Sequence, residues 1–203
     1  MAVFCTDAGH GGPDSGAVWN GVREKDINLQ VTLQLNQLLK QNGHRVFTTR
    51  KNDRQVPPLK TRCQLINNHH RKKAPAFDAI ISIHCNVAAY LDQSTNTYVP
   101  IPQRKGLYVI YSQASQMGHA LALSIARQAE KAGIQLAHGG LLSTIELGRS
   151  LCWIHQTLPP AVLVETGFLT NPEEIKLLQQ SDYQQTLIQV ITEGLEQALS
   201  PVV

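Results

Sequence analysis

The stretch Ala2-Val-Phe-Cys-Thr-Asp-Ala-Gly-His-Gly-Gly-Pro-Asp-Ser-Gly16 decides how this chain is read. It opens as an apolar run of strand length, breaks at Asp7 and then passes through glycines around one histidine. That is the pattern by which a strand hands a side chain to a cleft, and His10 is the residue handed over. Glu24 follows just ahead of an amphipathic helical pattern, so one strand-loop-helix unit holds an imidazole and a carboxylate.

The design recurs twice. Ala79-Ile-Ile-Ser-Ile-His-Cys-Asn86 is an apolar run that delivers His84, and Ala161-Val-Leu-Val-Glu-Thr-Gly167 delivers Glu165. Near-continuous apolar runs of this length suit strands of a parallel sheet buried on both faces, and in such sheets ligands gather at the carboxyl ends of the strands. The spacing therefore predicts that these groups converge on one edge.

Between these landmarks the chain alternates. Asp26 is the expected cap of a helix with Ile27, Val31, Leu35, Leu38 and Leu39 on one face and Gly43 as its stop. A strand over Arg45 to Thr49, a short helix over Leu59 to Asn68 and the strand Ala79 to His84 follow. Val87 to Lys105 carries two prolines and no periodicity, and reads as a structureless loop beside the site. Leu107 to Tyr111 is a strand, and Met117, Leu121, Ile125 and Ala129 form a helical stripe. Gly139-Gly140 breaks any pattern between Gln135 and Ser150, so the next strands are expected at Leu151 to His155 and Ala161 to Glu165. Asn171-Pro-Glu-Glu174 is a helix start, and Tyr183, Leu187, Val190, Ile191, Leu195 and Leu199 pattern a last helix. The expectation is a single α/β domain over residues 1–203, with a twisted, mostly parallel sheet of about six strands and helices on both faces.

Composition narrows the function. Apolar residues at 42% and charged residues at 16% describe an ordinary globular chain, and no apolar run approaches the roughly 20 residues of a membrane span. Net charge of +3 attracts anionic surfaces mildly. The one basic cluster, His69-His-Arg-Lys-Lys73, has no interleaved aromatics, so it reads as a solvated helix end and not as a nucleic-acid patch. Cys5, Cys63, Cys85 and Cys152 are widely spaced without a C-x-x-C pair, which predicts four free, mostly buried thiols. With no basic, apolar leader after Met1, the expectation is synthesis in a reducing cytoplasm without a signal peptide.

Two imidazoles and one carboxylate with an open fourth position are a common catalytic zinc set, and His10, Glu24 and His84 supply it. Glu165 has the position for a base that takes the proton of an attacking water. Structural histidines are the competing reading of each residue taken singly. Phosphate binding by the glycine loop fits poorly, because there is no Gly-Lys-Ser/Thr ending and the glycine spacing departs from the dinucleotide fingerprint. Cys85 adjoins His84 on a strand and so points to the opposite face, into the core. His138 and His155 have no assigned role; either could line the cleft.

The segments Asp7-Ala-Gly-His-Gly-Gly12, Glu24-Lys-Asp-Ile-Asn-Leu29, Thr49-Arg50 with Leu59 and Arg62, Ser82-Ile-His-Cys-Asn86 and Val164-Glu-Thr-Gly-Phe-Leu-Thr-Asn171 resemble, in order, those of the zinc-dependent N-acetylmuramoyl-L-alanine amidases of bacterial cell-wall turnover and phage lysis. The resemblance implies one zinc ion per chain on His10, Glu24 and His84, with Glu165 as the catalytic acid. It also implies cleavage of the amide between the muramoyl lactyl group and L-alanine of peptidoglycan. Ala8 stands where that family usually has proline, and Cys85 where it usually has a small residue; neither is a ligand. Family members that await an activator carry an extra inhibitory helical segment after the second histidine motif, where this chain has only Val87 to Lys105. The expectation is a compact, monomeric phage or prophage endolysin with no separate wall-binding module. It would be made in the cytoplasm and act on the wall once a holin-type partner has released it. A different zinc peptidase and a catalytically silent wall-binding domain are the alternatives.

Overall fold

Alternation along the central strands gives one sheet two apolar faces, and each face has its own core. In the computed structural model, which describes residues 1–72 and 75–200, the strand β1 (Val3–Ala8) is buried throughout. It runs through Asp7 without breaking. A small hairpin of β2 (Val18–Trp19) and β3 (Val22–Arg23) leads into α1 (Glu24–Gln41). Then come β4 (Arg45–Thr48), α2 (Leu59–Lys72), β5 (Ala79–Asn86), the hairpin β6 (Ala89–Asp92) and β7 (Thr97–Pro100), and β8 (Leu107–Tyr111). The chain continues through α3 (Gln116–Lys131), β9 (Leu136–Ser143), α4 (Cys152–His155), β10 (Ala161–Phe168), α5 (Glu174–Leu177) and α6 (Ser181–Leu199).

The main sheet has six strands in the order β4-β1-β5-β10-β8-β9. Its pairs are parallel except β8 with β10, so the expectation of a mostly parallel α/β domain is met. β10, the last strand in sequence, lies inside the sheet between β5 and β8. Phe4, Ile81, Ile83, Val162 and Val164 pack on one face with the apolar stripes of α1, α3 and α6. Cys5, Ile80, Ile110 and Leu163 pack on the other with Ile66 of α2 and Trp153 and Ile154 of α4. Among the described residues no helix is long and apolar enough to cross a membrane.

Several local expectations are corrected. Asp26 does not cap α1: the helix begins at Glu24 after an extended Arg23, and Asp26 pairs with Arg23 at 2.6 Å. Val87 to Lys105 is not structureless, for it holds the β6-β7 hairpin; that ribbon is largely exposed, so no buried face writes a period-2 pattern into it. The fifth strand lies at Leu136–Ser143, within the stretch that seemed patternless, because His138, Gly139 and Gly140 all adopt positive φ and the pairing with β8 shifts register there. Leu151 to His155 is therefore not a strand but leads into the one-turn α4. Four helical residues are too few to show a 3.6-residue period. Asn171 does accept hydrogen bonds from the Glu173 and Glu174 amides, both at 3.0 Å, but it opens only the one-turn α5. In the basic cluster, His69 to Lys72 end α2, and Lys73 lies outside the described residues.

Helices α3 and α6 touch where α6 has a glycine. A Cβ on Gly194 would stand 2.6 Å from the Ile125 Cα, and backbone cannot yield as a flexible side chain would. Alanine is the better helix former by about 1 kcal/mol, but forcing these helices apart costs about 1–3 kcal/mol. Gly194→Ala is expected to lower stability by up to about 2 kcal/mol, read as a lower urea midpoint at unchanged slope.

Candidate metal centre

The site is assembled at the carboxyl ends of β1, β5 and β10. His84 and Glu165 are register partners on adjacent parallel strands, so their side chains stand together on one face of the sheet. Cys85 points the other way into the core, where its thiol meets the Thr166 hydroxyl at 3.3 Å. Past the end of β1 the backbone turns sharply at His10, which has φ of 63°, and closes with mutual hydrogen bonds between Gly11 and Asp14. Gly9 makes the turn possible: any Cβ there would collide with the His84 ring.

His10, Glu24 and His84 come together as the spacing predicts, each offering a ligand atom within 4.8 Å of the others. The Glu24 Oε2 is 3.2 Å from His10 Nε2 and its Oε1 is 3.0 Å from His84 Nδ1. Backbone amides of Ala17 and Cys85 also donate to this carboxylate, at 2.9 and 3.2 Å. Burial alone would raise the Glu24 pKa, but the two imidazoles overcome it and hold the carboxyl well below the usual range. Burial opposes charge on both rings, yet Glu24 and Asp14 lift His10 to about 9, and Glu24 with Glu165 raises His84. Two imidazoles and a carboxylate this close form a borderline-soft donor set of the kind that zinc takes.

Glu165 sits beside this group with one oxygen, Oε2, buried and without a hydrogen-bond partner. Desolvation raises its pKa to about 7 against the opposing pull of His84. The four residues line a cleft of ≈ 400 Å³ with Arg149 and Trp153.

Sequence reading missed the roles of four residues. Asp14 was quoted but given no role; its Oδ2 lies 2.9 Å from His10 Nδ1, on the far side of the ring from Glu24, where it fixes ring orientation. Arg149 brings a positive charge that acts on Glu165 and Tyr108, and no periodic pattern marks its position. Arg50 and Arg62 were noticed only as part of the family pattern. Arg62 donates to the buried Asp7 carboxylate at 2.8 Å and to the His10 carbonyl at 2.7 Å, while Arg50 donates to the Gly9 and Lys25 carbonyls. His155 faces its own helix end, bonded to the Leu151 amide at 3.0 Å, and His138 meets the edge of the Tyr108 ring from an exposed position. Neither joins the cluster.

Residues 5–197 match the sequence profile described as N-acetylmuramoyl-L-alanine amidase. The chain belongs to the N-acetylmuramoyl-L-alanine amidase family. This amidase is 27% identical to the germination-specific N-acetylmuramoyl-L-alanine amidase of Bacillus subtilis, over 95% of its own length and 78% of that protein. It is 29% identical to an endolysin of Bacillus phage SPP1, covering 96% of this chain and 65% of the other. Its fold superposes on the CwlD amidase of Clostridioides difficile, solved in complex with the GerS lipoprotein, with a TM-score of 0.81 at 27% identity and 98% coverage of both chains. The amidase is thus a peptidoglycan-degrading hydrolase with an α/β catalytic domain.

Arg62 is 4% exposed and its partner Asp7 1% exposed, so removing one charge strands the other. Arg62→Met in the amidase is expected to cost about 3–5 kcal/mol, measured by urea unfolding, whereas the exposed Arg23→Met should cost less than about 1 kcal/mol.

Proposed function

We propose that this amidase is zinc-dependent, with His10, Glu24 and His84 holding one ion per chain and Glu165 moving the proton. The bond cut is the amide between the N-acetylmuramoyl lactyl group and L-alanine of the stem peptide. The observation that carries this reading is the convergence of the three ligand atoms within 4.8 Å, beside a buried carboxylate oxygen that has no partner. Bound zinc would polarise the amide carbonyl and acidify water.

The chain's own residues do the rest. Asp14 holds the His10 ring through Nδ1, leaving Nε2 turned toward Glu24 as one of the atoms that would hold the ion. Glu24 keeps its charge because imidazoles and backbone amides surround it. Glu165, with a pKa near 7, takes a proton from the attacking water and returns it to the leaving alanine nitrogen. Arg149 and Trp153 line the wall along which the stem peptide would lie.

Glu165→Gln keeps shape and removes the base. It should retain zinc and lose about 10²- to 10⁴-fold in turnover, whereas Glu24→Gln should weaken zinc binding itself. Metal content and hydrolysis of purified peptidoglycan read both, and loss of metal from both variants would overturn the assignment of Glu165 as base and not ligand. New free amino groups on L-alanine identify the amidase reaction. Cleavage within the stem peptide would indicate a different zinc peptidase, and binding without products a silent wall-binding domain.

Zinc affinity follows pH with a definite sign. His10, at about 9 in the metal-free protein, is protonated at neutral pH, and an ion must displace that proton. Apparent affinity is expected to rise about tenfold per pH unit for each proton displaced between pH 6.5 and 7.5, measured by competition with a chelator of known pH dependence.

The setting we infer is that of an endolysin, the name carried by the phage SPP1 relative: the enzyme is made in the cytoplasm and reaches an anionic wall, aided by its net charge of +3, after a pore-forming partner opens the membrane. A germination role is the competing setting, supported by the similarity to the B. subtilis germination-specific amidase. Expression in growing cells with and without a membrane-permeabilising agent separates them. Lysis only with the agent supports the endolysin setting; lysis without it points to export.

A further inference from the structure

Two of the four cysteines form a spatial pair. Cys63 of α2 and Cys152 at the start of α4 are 89 positions apart in sequence, yet their Sγ atoms lie 3.4 Å apart in hydrogen-bond contact. The approach does not depend on the sulfurs. Asn67, one turn beyond Cys63, donates to the Gln156 carbonyl at 2.7 Å and accepts from the Leu158 amide at 2.8 Å, which fixes the end of α4 against α2. All four thiols are free, and Cys5 and Cys85 are buried in contact with Thr6 and Thr166 instead of another cysteine.

The two members differ in access. Cys63 is 2% exposed, whereas Cys152 is partly exposed and lines the same cleft as Glu165. We propose that Cys63 and Cys152 are a disulfide-forming modification site, closed by small oxidised disulfides that enter through the cleft and react first at Cys152.

The chemistry balances as two thiol-disulfide exchanges. The Cys152 thiolate attacks one sulfur of the small disulfide, forms a mixed disulfide and releases one small thiolate. Cys63 then loses its proton to solvent and attacks the Cys152 sulfur, forming the internal bond and releasing the second small thiolate. Two protein thiols are oxidised and one small disulfide is reduced to two thiols. The sulfurs close from 3.4 Å to bonding distance, a movement of about 1.4 Å shared by two side chains. Burial pushes the Cys63 thiol up to about 12, so the second exchange is the slow one.

The bond would join two parts of the cleft wall. Cys63 follows Arg62, which holds the His10 carbonyl, and Cys152 precedes Trp153, which bonds the β10 carbonyl of Val162 at 3.0 Å. Closing it ties the helix that supports the His10 loop to the strand that carries Glu165. It also cross-links a long loop of the unfolded chain, which stabilises the folded state.

The test uses the purified full chain with oxidised glutathione, followed by quenching, thiol counting under denaturing conditions and peptide mapping by mass spectrometry. The expected result is loss of two thiols, one cross-linked peptide pair containing Cys63 and Cys152, and a Tm higher by about 5–15 °C that dithiothreitol reverses. Cys63→Ser should stop at one glutathione adduct on Cys152 with no rise in Tm. Retention of four free thiols in the wild type, a stable adduct on Cys152 without the cross-link, or a cross-link that includes Cys5 or Cys85 would each overturn the proposal. None of these readouts involves peptidoglycan hydrolysis, so they stand apart from the zinc reading.

Discussion

A buried carboxylate at the end of β1 organises this molecule. Asp7 accepts from Arg62, from the Thr49 hydroxyl and from the Ser82 hydroxyl, and so joins α2, the segment after β4 and β5 at one point. A guanidinium satisfied by one carboxylate still has donors to spare, and Arg62 spends them on the Ala8, His10 and Pro57 carbonyls. The loop that carries His10 has little apolar surface with which to anchor itself. It is held by these charge-assisted bonds and by Arg50, whose guanidinium reaches Gly9, Lys25 and Asp53. The placement of a metal-capable imidazole thus depends on two arginines that never touch it.

The same logic explains why the centre is recognisable in the protein alone. Imidazoles held 3.0 and 3.2 Å from one carboxylate are costly to keep so close unless protons or a cation link them. Glu24 is further committed by one amide from the segment between β1 and β2 and one from β5, which fixes both oxygens before any ligand arrives. Such fixed geometry favours binding, because little ordering is left to be done when a ligand enters.

Much of this was legible in the sequence, and the failures have a common cause. β1, β5 and β10 are buried on both faces, so their apolar runs and the polar residues that end them stand out; from these came His10, His84 and Glu165. The stripe of α1 likewise marked Glu24. What stayed hidden was either exposed or irregular. The β6-β7 ribbon has no core face, β9 is interrupted by three consecutive residues of positive φ, and α4 is a single turn. Asp14 and Arg149 were unreadable for another reason: their importance comes from which ring or carboxylate they face, and sequence spacing does not encode that direction.

The position of β10 has a consequence for how the molecule comes into being. The half-sheet β4-β1-β5 can form from the first 86 residues, and β8 with β9 can pair on its own, but β10 is what joins them. A nascent chain emerging from the ribosome therefore holds His10, Glu24 and His84 long before Glu165 exists, and its central seam stays open until Ala161–Phe168 has been made. Insertion between two preformed edges is a non-local event that is slow in folding. It also means that assembly of the domain and completion of the site are one step. A half-folded copy would carry the three converging side chains without their neighbouring carboxylate, so this peptidoglycan hydrolase acquires its full set of groups only once β10 is in place.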